Sequence, residues 1–476
     1  MSKKPISLNN ISLLVNNKTC FENFSAQIYP KKRIVIMGIN GSGKSTLLKI
    51  IQGQIDPSEG TVNIPAEITF WQVEQTIKSY PELSGGQRFN KALTYALSLD
   101  PDVLCLDEPT NHLDLKNKRS LIRMLQHYDE TLIIISHDPE ILKLNFDEIW
   151  HLEHNKINVF KGNYDDYLKE NQLEKDAVEY QRGQAHKEKN KLRKLIEQEN
   201  KRASQSKSVN RNENDKNLLG AMKQSGSQTV GKNLKRLSKV KEDIQQKLTD
   251  SFVHKKIEPK FNIDAYKVSL GKSIVSIVNG SCGYAQNVIL NKINLQLKGG
   301  NKIAIIGDNG SGKSTLIKAL LENPNILTGG EWVMPKKSDI GYLDQHYSTL
   351  NPNLTVVEVL QEAMPTWTDL EVRKHLNDFL FFTQEDVSNK VLNLSGGEKA
   401  RLCLAVIAAK SPSLLLLDEI TNNIDLETRE YVSEVLKSYP GAAIVVTHDP
   451  SFLKSLEIYN VYEIINSQLV WAESII

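Results

Sequence analysis

The chain has 476 residues, enough for about three domains of ordinary size. Hydrophobic residues make up 40% and charged residues 24%, which excludes a disordered or fibrous chain and leaves one with sizeable cores. Lys plus Arg is 59 and Asp plus Glu is 57, so the net charge is +2, an average that argues against a uniformly basic nucleic-acid binder. No run of 18 apolar residues occurs, so no transmembrane helix is expected. Met1 to Pro5 leads to polar Asn9 and Asn10 rather than to a signal-peptide core, and a cytoplasmic protein is expected. Cys20, Cys105, Cys282 and Cys403 lack metal-ligand spacing. Cys105 and Cys403 lie in apolar runs, as buried reduced thiols do.

In chain order, Arg33 to Met37 is a short apolar run that ends in a glycine-rich turn, and Lys44 to Ile51 reads as a helix. Val103 to Leu106 and Leu132 to Ile135 are continuous apolar runs. Ile303 to Ile306, Leu414 to Leu417 and Ile444 to Val446 repeat them. Such runs fit strands buried on both faces of a parallel sheet, so the fold class is α/β.

The chain carries this pattern twice. GINGSGKST at 38–46 matches GDNGSGKST at 307–315, and LSGGQ at 83–87 matches LSGGE at 394–398. LCLDEPTNHLD at 104–114 matches LLLDEITNNID at 415–425, and LIIISHD at 132–138 matches AIVVTHD at 443–449. The spacing from Ser84 to Glu108 and from Ser395 to Glu419 is 24 in both cases; Glu108 to His137 and Glu419 to His448 are both 29. Two copies of one domain explain such register. One interval differs: Lys44 to Ser84 is 40 residues, while Lys313 to Ser395 is 82. Gln345 lies 32 after Lys313 and Gln75 lies 31 after Lys44, so about 41 residues are missing between Gln75 and Ser84. Gln72 competes for the role of Gln75, with a spacing that fits less well.

G-x-x-x-x-G-K-S between a strand and a helix is a phosphate-binding loop. Its glycines let backbone N–H groups point inward at phosphate, and the helix N-terminus adds a favourable field. The expected contacts are Gly38, Asn40, Gly41, Gly43, Lys44, Ser45 and Thr46 in the first copy. In the second they are Gly307, Asn309, Gly310, Gly312, Lys313, Ser314 and Thr315. Lys44 and Lys313 are expected to reach the β- and γ-phosphates, and Ser45 and Ser314 to bind Mg²⁺. Asp107 and Asp418 end apolar strands, where a carboxylate can hold Mg²⁺ through water. Glu108 and Glu419 follow directly and can orient and deprotonate the attacking water. His137 and His448 end the next strand and can touch the γ-phosphate, and Gln75 and Gln345 can complete the water and metal shell.

These motifs resemble the ABC ATPases in both halves. The resemblance implies two nucleotide-binding domains facing head to tail within one monomer. Ser84, Gly85 and Gly86 would then cap the ATP held by Lys313, and Ser395, Gly396 and Gly397 the ATP held by Lys44. ATP joins the halves and hydrolysis releases them. The family stacks an aromatic on adenine shortly before the P-loop: Tyr284 fits, whereas the matching place in the first half is Val15. The second half also reads Ile420 and Asn423 where the first has Pro109 and His112, which bears on the local turn rather than on the metal chemistry.

Between the copies, no proline occurs from Pro139 to Pro259. Residues 182–241 hold 17 Lys or Arg against 5 Asp or Glu, a net +12, so the other 416 residues carry −10. Leu234, Leu237, Val240, Ile244 and Leu248 fall on one helical face. The pattern reads as two long helices, the first from Tyr164 to Arg202, with a polar tip at about 203–230. A phosphate-rich partner explains the charge. Few aromatics are present, so folded RNA read by shape fits better than single strands read by stacking.

The layout resembles the ABC-F proteins across the whole chain, with FKGNYDDYLKENQLEK at 160–175 as the entry to the linker. The domains implied are 1–162, a basic helical hairpin over 163–258, and 259–476. The shortened first domain is similar to the antibiotic-resistance group (Vga, Msr and Lsa types). The resemblance implies binding of the 70S ribosome at the E site, with 23S rRNA and P-site tRNA as contacts and the tip acting near the peptidyl-transferase centre. Leu218, Leu219 and Met222 are the apolar residues of that tip, equally suited to packing between the helices. Two other outputs compete. A translation factor for stalled ribosomes shares the layout. An exporter ATPase subunit needs the helical subdomain that the first half nearly lacks, and no transmembrane partner is expected.

Overall fold

The computed structural model describes residues 4–15, 18–73, 85–111, 113–153, 155–208, 271–285 and 287–472. The chain divides into one unit of Met1–Tyr164 with Ile257–Ile476 and another of Asp165–Lys256.

In the first half the strands are β1 (Ile6–Val15), β2 (Lys18–Ile28), β3 (Arg33–Gly38), β4 (Glu59–Asn63), β5 (Phe70–Val73), β6 (Val103–Asp107), β7 (Thr131–Ile135), β8 (Glu148–Glu153) and β9 (Lys156–Lys161). They form an antiparallel sheet in the order β2-β1-β4 and a larger sheet in the order β5-β6-β7-β3-β8-β9. The first five strands of the larger sheet are parallel, and β9 is an antiparallel edge.

The second half repeats this plan. Its strands are β10 (Ser273–Tyr284), β11 (Asn287–Lys298), β12 (Lys302–Ile306), β13 (Leu327–Val333), β14 (Ile340–Asp344), β15 (Leu414–Asp418), β16 (Ala442–Val446), β17 (Val461–Ile465) and β18 (Gln468–Ala472). The orders β11-β10-β13 and β14-β15-β16-β12-β17-β18 match those of the first half, strand for strand. The repeat read from motifs is thus a repeat of fold.

The apolar runs are the parallel strands, and both of their faces are covered. Ile303 and Ile305 of β12 enter the core beneath the antiparallel sheet, with Leu290, Leu295 and Leu316. Ala304 and Ile306 enter the opposite core, with Leu343, Leu417 and Phe452. Ile34 and Ile36 of β3 pack likewise with Phe21, Phe24 and Trp150. Cys105, Cys282 and Cys403 are buried and all four cysteines are free thiols.

The halves differ where the spacing differs. After β14 come helices Val356–Ala363, Asp369–Asp378 and Gln384–Ser388. Each is opened by a capping box, Thr355 with Glu358, Thr368 with Glu371 and Thr383 with Asp386, in which two otherwise unpaired backbone N–H groups are satisfied. Val372, Leu376 and Phe379 of this subdomain are fully buried against the helix Gly396–Lys410 and its neighbours. In the first half the corresponding interval is only residues 74–84, which lie outside the described residues.

The helix Tyr164–Ser208 opens the second unit. Its 45 residues span about 67 Å. It runs six residues past the expected end at Arg202. Residues 203–208, ASQSKS, contain neither Pro nor Gly, so nothing in them forces a break. The remainder of the expected tip and the Leu234 to Leu248 arm lie outside the described residues. Among the described residues, no helix is long and apolar enough to cross a membrane.

Phe379→Ala removes a fully buried aromatic side chain from the core of the helical subdomain and is expected to destabilise the second half by about 3–5 kcal/mol. The check is denaturant unfolding followed by Trp367, which packs on this core, in a variant that retains it as the sole tryptophan.

Candidate functional site

Each phosphate-binding loop joins a parallel strand to a helix, β3 to Lys44–Ile51 and β12 to Lys313–Leu320. The residue before each helix is a left-handed glycine, Gly43 with φ 95° and Gly312 with φ 109°. A side chain there would also meet Cys20 and Leu13 at 3.1 Å, or Ile289 at 2.8 Å. Lys44 folds back over its loop, with Nζ donating to the carbonyls of Gly38 (2.6 Å) and Ile39 (3.0 Å). Lys313 does the same with Gly307 (2.9 Å) and Asp308 (3.0 Å). Burial lowers both ammonium groups, against the nearby carboxylates that favour their charge. An arriving phosphate would supply a second anionic partner.

Asp107 and Asp418 end β6 and β15, and Glu108 and Glu419 follow in the left-handed region at φ 45° and 50°. This conformation is uncommon for a glutamate and costs about 1–3 kcal/mol. It is pinned by Glu108 N–H donating to Ile135 (2.9 Å) and Glu419 N–H to Val446 (2.9 Å). The glutamates thereby approach the switch histidines: His137 Nε2 is 3.6 Å from Glu108 Oε1, and His448 Nε2 is 3.2 Å from Glu419 Oε1. Burial pushes Glu108 up to about 8, with Asp107 adding to the rise and Lys44 opposing it. Burial, reinforced by Lys44, depresses His137 to about 3, so its ring is neutral near pH 7. Burial and Glu419 raise Asp418 to about 6.

The cavity around Lys44 has a volume of about 770 Å³. Asn40, Gly41, Gly43, Ser45, Thr46, Asp107, Glu108 and His137 line it from the first half, and Gly396, Thr421, Ile424 and His448 from the second. Asn40 N–H donates to Asp425 Oδ2 at 3.1 Å, a bond between the halves. The geometry therefore places one copy's signature beside the other copy's P-loop. Ser395 is engaged in a capping box, its hydroxyl donating to Glu398 Oε2 at 2.7 Å while Glu398 N–H donates back at 3.3 Å. That hydroxyl must turn from Glu398 to reach a nucleotide. A second cavity, of about 470 Å³, lies between Leu115, Lys116 and Arg119 of the first half and Gly307, Asp308 and His448 of the second. Gly85 and Gly86 open the helix Gly85–Ser98, whereas Ser84 and Gln75 lie outside the described residues.

Sheet register places Gln345 and Gln72. Asp344 pairs with Asp418, and Val73 with Leu106, one residue before Asp107. Gln345 thus follows its strand end by one residue; in the first half Gln72 sits inside β5 opposite Cys105, and Gln75 lies outside the described residues. Val15 and Cys20 line the first cavity where an aromatic is absent, and Tyr284 is 44% exposed at the end of β10.

Asp114 and Asp425 carry no role in the motif reading. Each caps the helix after its strand, accepting from Asn117 N–H (2.9 Å) or Thr428 N–H (2.8 Å), and each faces the opposite P-loop lysine or its loop. A helix-starting aspartate at the end of TNHLD and TNNID was the available signal.

Twin P-loop sheets, each with its antiparallel partner sheet, and a nucleotide-sized cavity shared by the halves define a tandem ABC ATPase. A family described as ABC transporter matches residues 21–79 and 290–422, and one described as AAA domain, putative AbiEii toxin, Type IV TA system matches 67–143. The ribosome protection protein VmlR of Bacillus subtilis is 30% identical over 95% of this chain and 85% of its own length. The probable ATP-binding protein YheS of Haemophilus influenzae is 30% identical over 96% of this chain and 79% of its own length. The ATP-binding protein Uup of Buchnera aphidicola is 29% identical over 94% and 79%. The chain belongs to the ABC-F family; it binds ATP and hydrolyses it to ADP and phosphate.

Gly38 has φ 146°, and a Cβ there would lie 2.5 Å from the Leu152 carbonyl oxygen. Gly38→Ala is expected to weaken nucleotide binding at the first site by about 10-fold or more, from strain of about 1–3 kcal/mol. Titration of a fluorescent ATP analogue into Lys313→Ala protein, where the first site alone reports, checks it.

Proposed function

We propose that the protein is an ATP-dependent ribosome-binding factor that protects the 70S ribosome from antibiotics acting at the peptidyl-transferase centre and exit tunnel. The observation that carries this reading is a nucleotide cavity walled by both halves on a chain whose linker window carries +12. ATP holds the halves together, and the linker is presented to rRNA and P-site tRNA, with the tip at about 203–230 displacing drug. Hydrolysis then releases the protein. Similarity to a ribosome protection protein over 95% of the chain supports it. The interval between β5 and Gly85, residues 74–84, is too short for a helical subdomain like that of the second half, which disfavours an exporter subunit.

Within each site, the P-loop N–H groups and Lys44 or Lys313 hold the phosphates, and Ser395 to Gly397 or Ser84 to Gly86 close over them. Glu108 and Glu419 take the proton of the attacking water, and a raised carboxylate such as Glu108 suits that work. His137 and His448 contact the γ-phosphate. The residues fit a magnesium ion: Asp418 Oδ1 is buried without a hydrogen-bond partner at the end of β15, paired with Asp344, the residue before Gln345. Ser45, Gln75 and Asp107, or Ser314, Gln345 and Asp418, would hold it, and bound there it neutralises the charge growing on the β- and γ-phosphates. Tyr284 stacks on adenine at the second site and Val15 gives the first a weaker base contact.

The Glu108→Gln, Glu419→Gln protein is expected to hydrolyse ATP about 100-fold or more slowly and to sediment with 70S ribosomes when ATP is present. Failure to sediment contradicts ribosome binding, and co-purification with a membrane protein favours transport. Expression of the unmodified protein is expected to raise the inhibitory concentration of at least one drug of the peptidyl-transferase centre. Unchanged values for all of them favour a translation factor that acts on stalled ribosomes.

A further inference from the structure

Each half buries an ion pair that the hydrolytic chemistry leaves unused. Four residues past Asp114, Lys118 places Nζ 2.8 Å from Asp138 Oδ2 and 3.6 Å from Glu140 Oε2. Four residues past Asp425, Arg429 places Nη1 2.7 Å from Asp449 Oδ2, donates from Nη2 to Ser451 Oγ at 2.6 Å, and lies 5.7 Å over the Phe452 ring. The side chains of Lys118 and Arg429 are only 7% and 12% exposed. Asp138 and Asp449 directly follow His137 and His448. Each pair therefore ties the helix capped by Asp114 or Asp425 to the base of its own switch histidine.

A buried ion pair is a poor source of stability, because desolvation costs several kcal/mol per ion. Its repetition in both halves, with Lys in one and Arg in the other, calls for another use. Both pairs line the cavity that holds Lys44, Glu108, His137 and His448. There, charges of one half reach those of the other. Burial alone would raise the Asp449 carboxyl, yet Arg429, Ser451 and, from the opposite half, Lys118 hold it below the usual carboxylate range. Asp425 acts in the same way on His137 across the interface.

We propose that Lys118, Asp138, Arg429 and Asp449 form one charge cluster across the closed interface, and that they are positioning residues which couple the two switch histidines. Separation of the halves would split the cluster and leave each histidine set by its own pair alone. Lys118 of the first half then acts on His448 of the second, through Asp449. This inference rests on the reading that nucleotide closes the halves.

The test is a double-mutant cycle between residues of different halves, Lys118→Met and Asp449→Asn, in the full chain carrying Glu108→Gln and Glu419→Gln. The readout is the ATP concentration for half-maximal closure, measured as energy transfer between dyes on the two halves. Each single change is expected to raise it about 5-fold and the pair also about 5-fold, because the second removes nothing further. Lys118→Arg, which keeps the cation, is expected to stay within about 2-fold. Shifts in melting temperature without nucleotide are expected to add, since there the two residues act in separate halves. A product of the single effects, about 25-fold, overturns the coupling while leaving closure intact. Absence of any ATP-dependent closure instead overturns the reading beneath it. If Lys118→Met does not fold, Lys118→Met with Asp138→Asn takes its place, because it leaves no unpaired buried carboxylate.

Discussion

The cavity around Lys44 has walls from both halves of the chain, and neither half can enclose a nucleotide alone. A P-loop offers N–H groups, a lysine and a helix terminus on one side of a phosphate. The other side is supplied by Gly396, Thr421 and Ile424, and the halves meet where Asn40 donates to Asp425. From this constraint the rest of the fold gains its purpose. The parallel sheets fix the ends of β6, β7, β15 and β16, which carry Asp107, His137, Asp418 and His448. Buried apolar cores pack against the strands that carry them.

The two sites share a plan but differ in their rims. Val15 and Cys20 line the first cavity, whereas in the second half Ile289 lies beside Gly312 and Tyr284 is exposed at the end of β10. Lys116, Arg119 and Arg123 face Asp308 and Glu463 across the second cavity. The equivalent helix of the second half carries Glu427, Glu430 and Glu434. One chain therefore encodes two non-identical interfaces, which a homodimer of one domain could not do. The near-zero net charge conceals a further division, with +12 in the linker window and −10 elsewhere.

Much of this was legible from residue order. The matched spacings of 24 and 29 give the repeat, and the continuous apolar runs give β3, β6, β7, β12, β15 and β16 almost to the residue, while β5, β8, β14 and β17 carry no such run and were not legible. That Gln72 lies inside β5, opposite Cys105, needed sheet register, because only strand pairing shows which residues remain within a strand. The left-handed Glu108 and Glu419 could not be read, since the conformation is imposed by N–H bonds to the neighbouring strand. Asp114 and Asp425 were visible as helix caps but not as partners of the opposite P-loop, and Lys118 with Asp138 spans 20 residues with no motif to join them. The helix from Tyr164 runs to Ser208 rather than Arg202 because polarity alone does not end a helix.

The claim that ATP is held between the halves is open to one direct measurement. Spin labels at the exposed positions Glu67 and Asn353, one in each half, report their separation in Glu108→Gln, Glu419→Gln protein with and without ATP. ATP is expected to narrow the distance distribution to a single short separation, and Lys44→Ala with Lys313→Ala to abolish the change. A distribution that ATP leaves unaltered, in protein shown to bind the nucleotide, would contradict that claim.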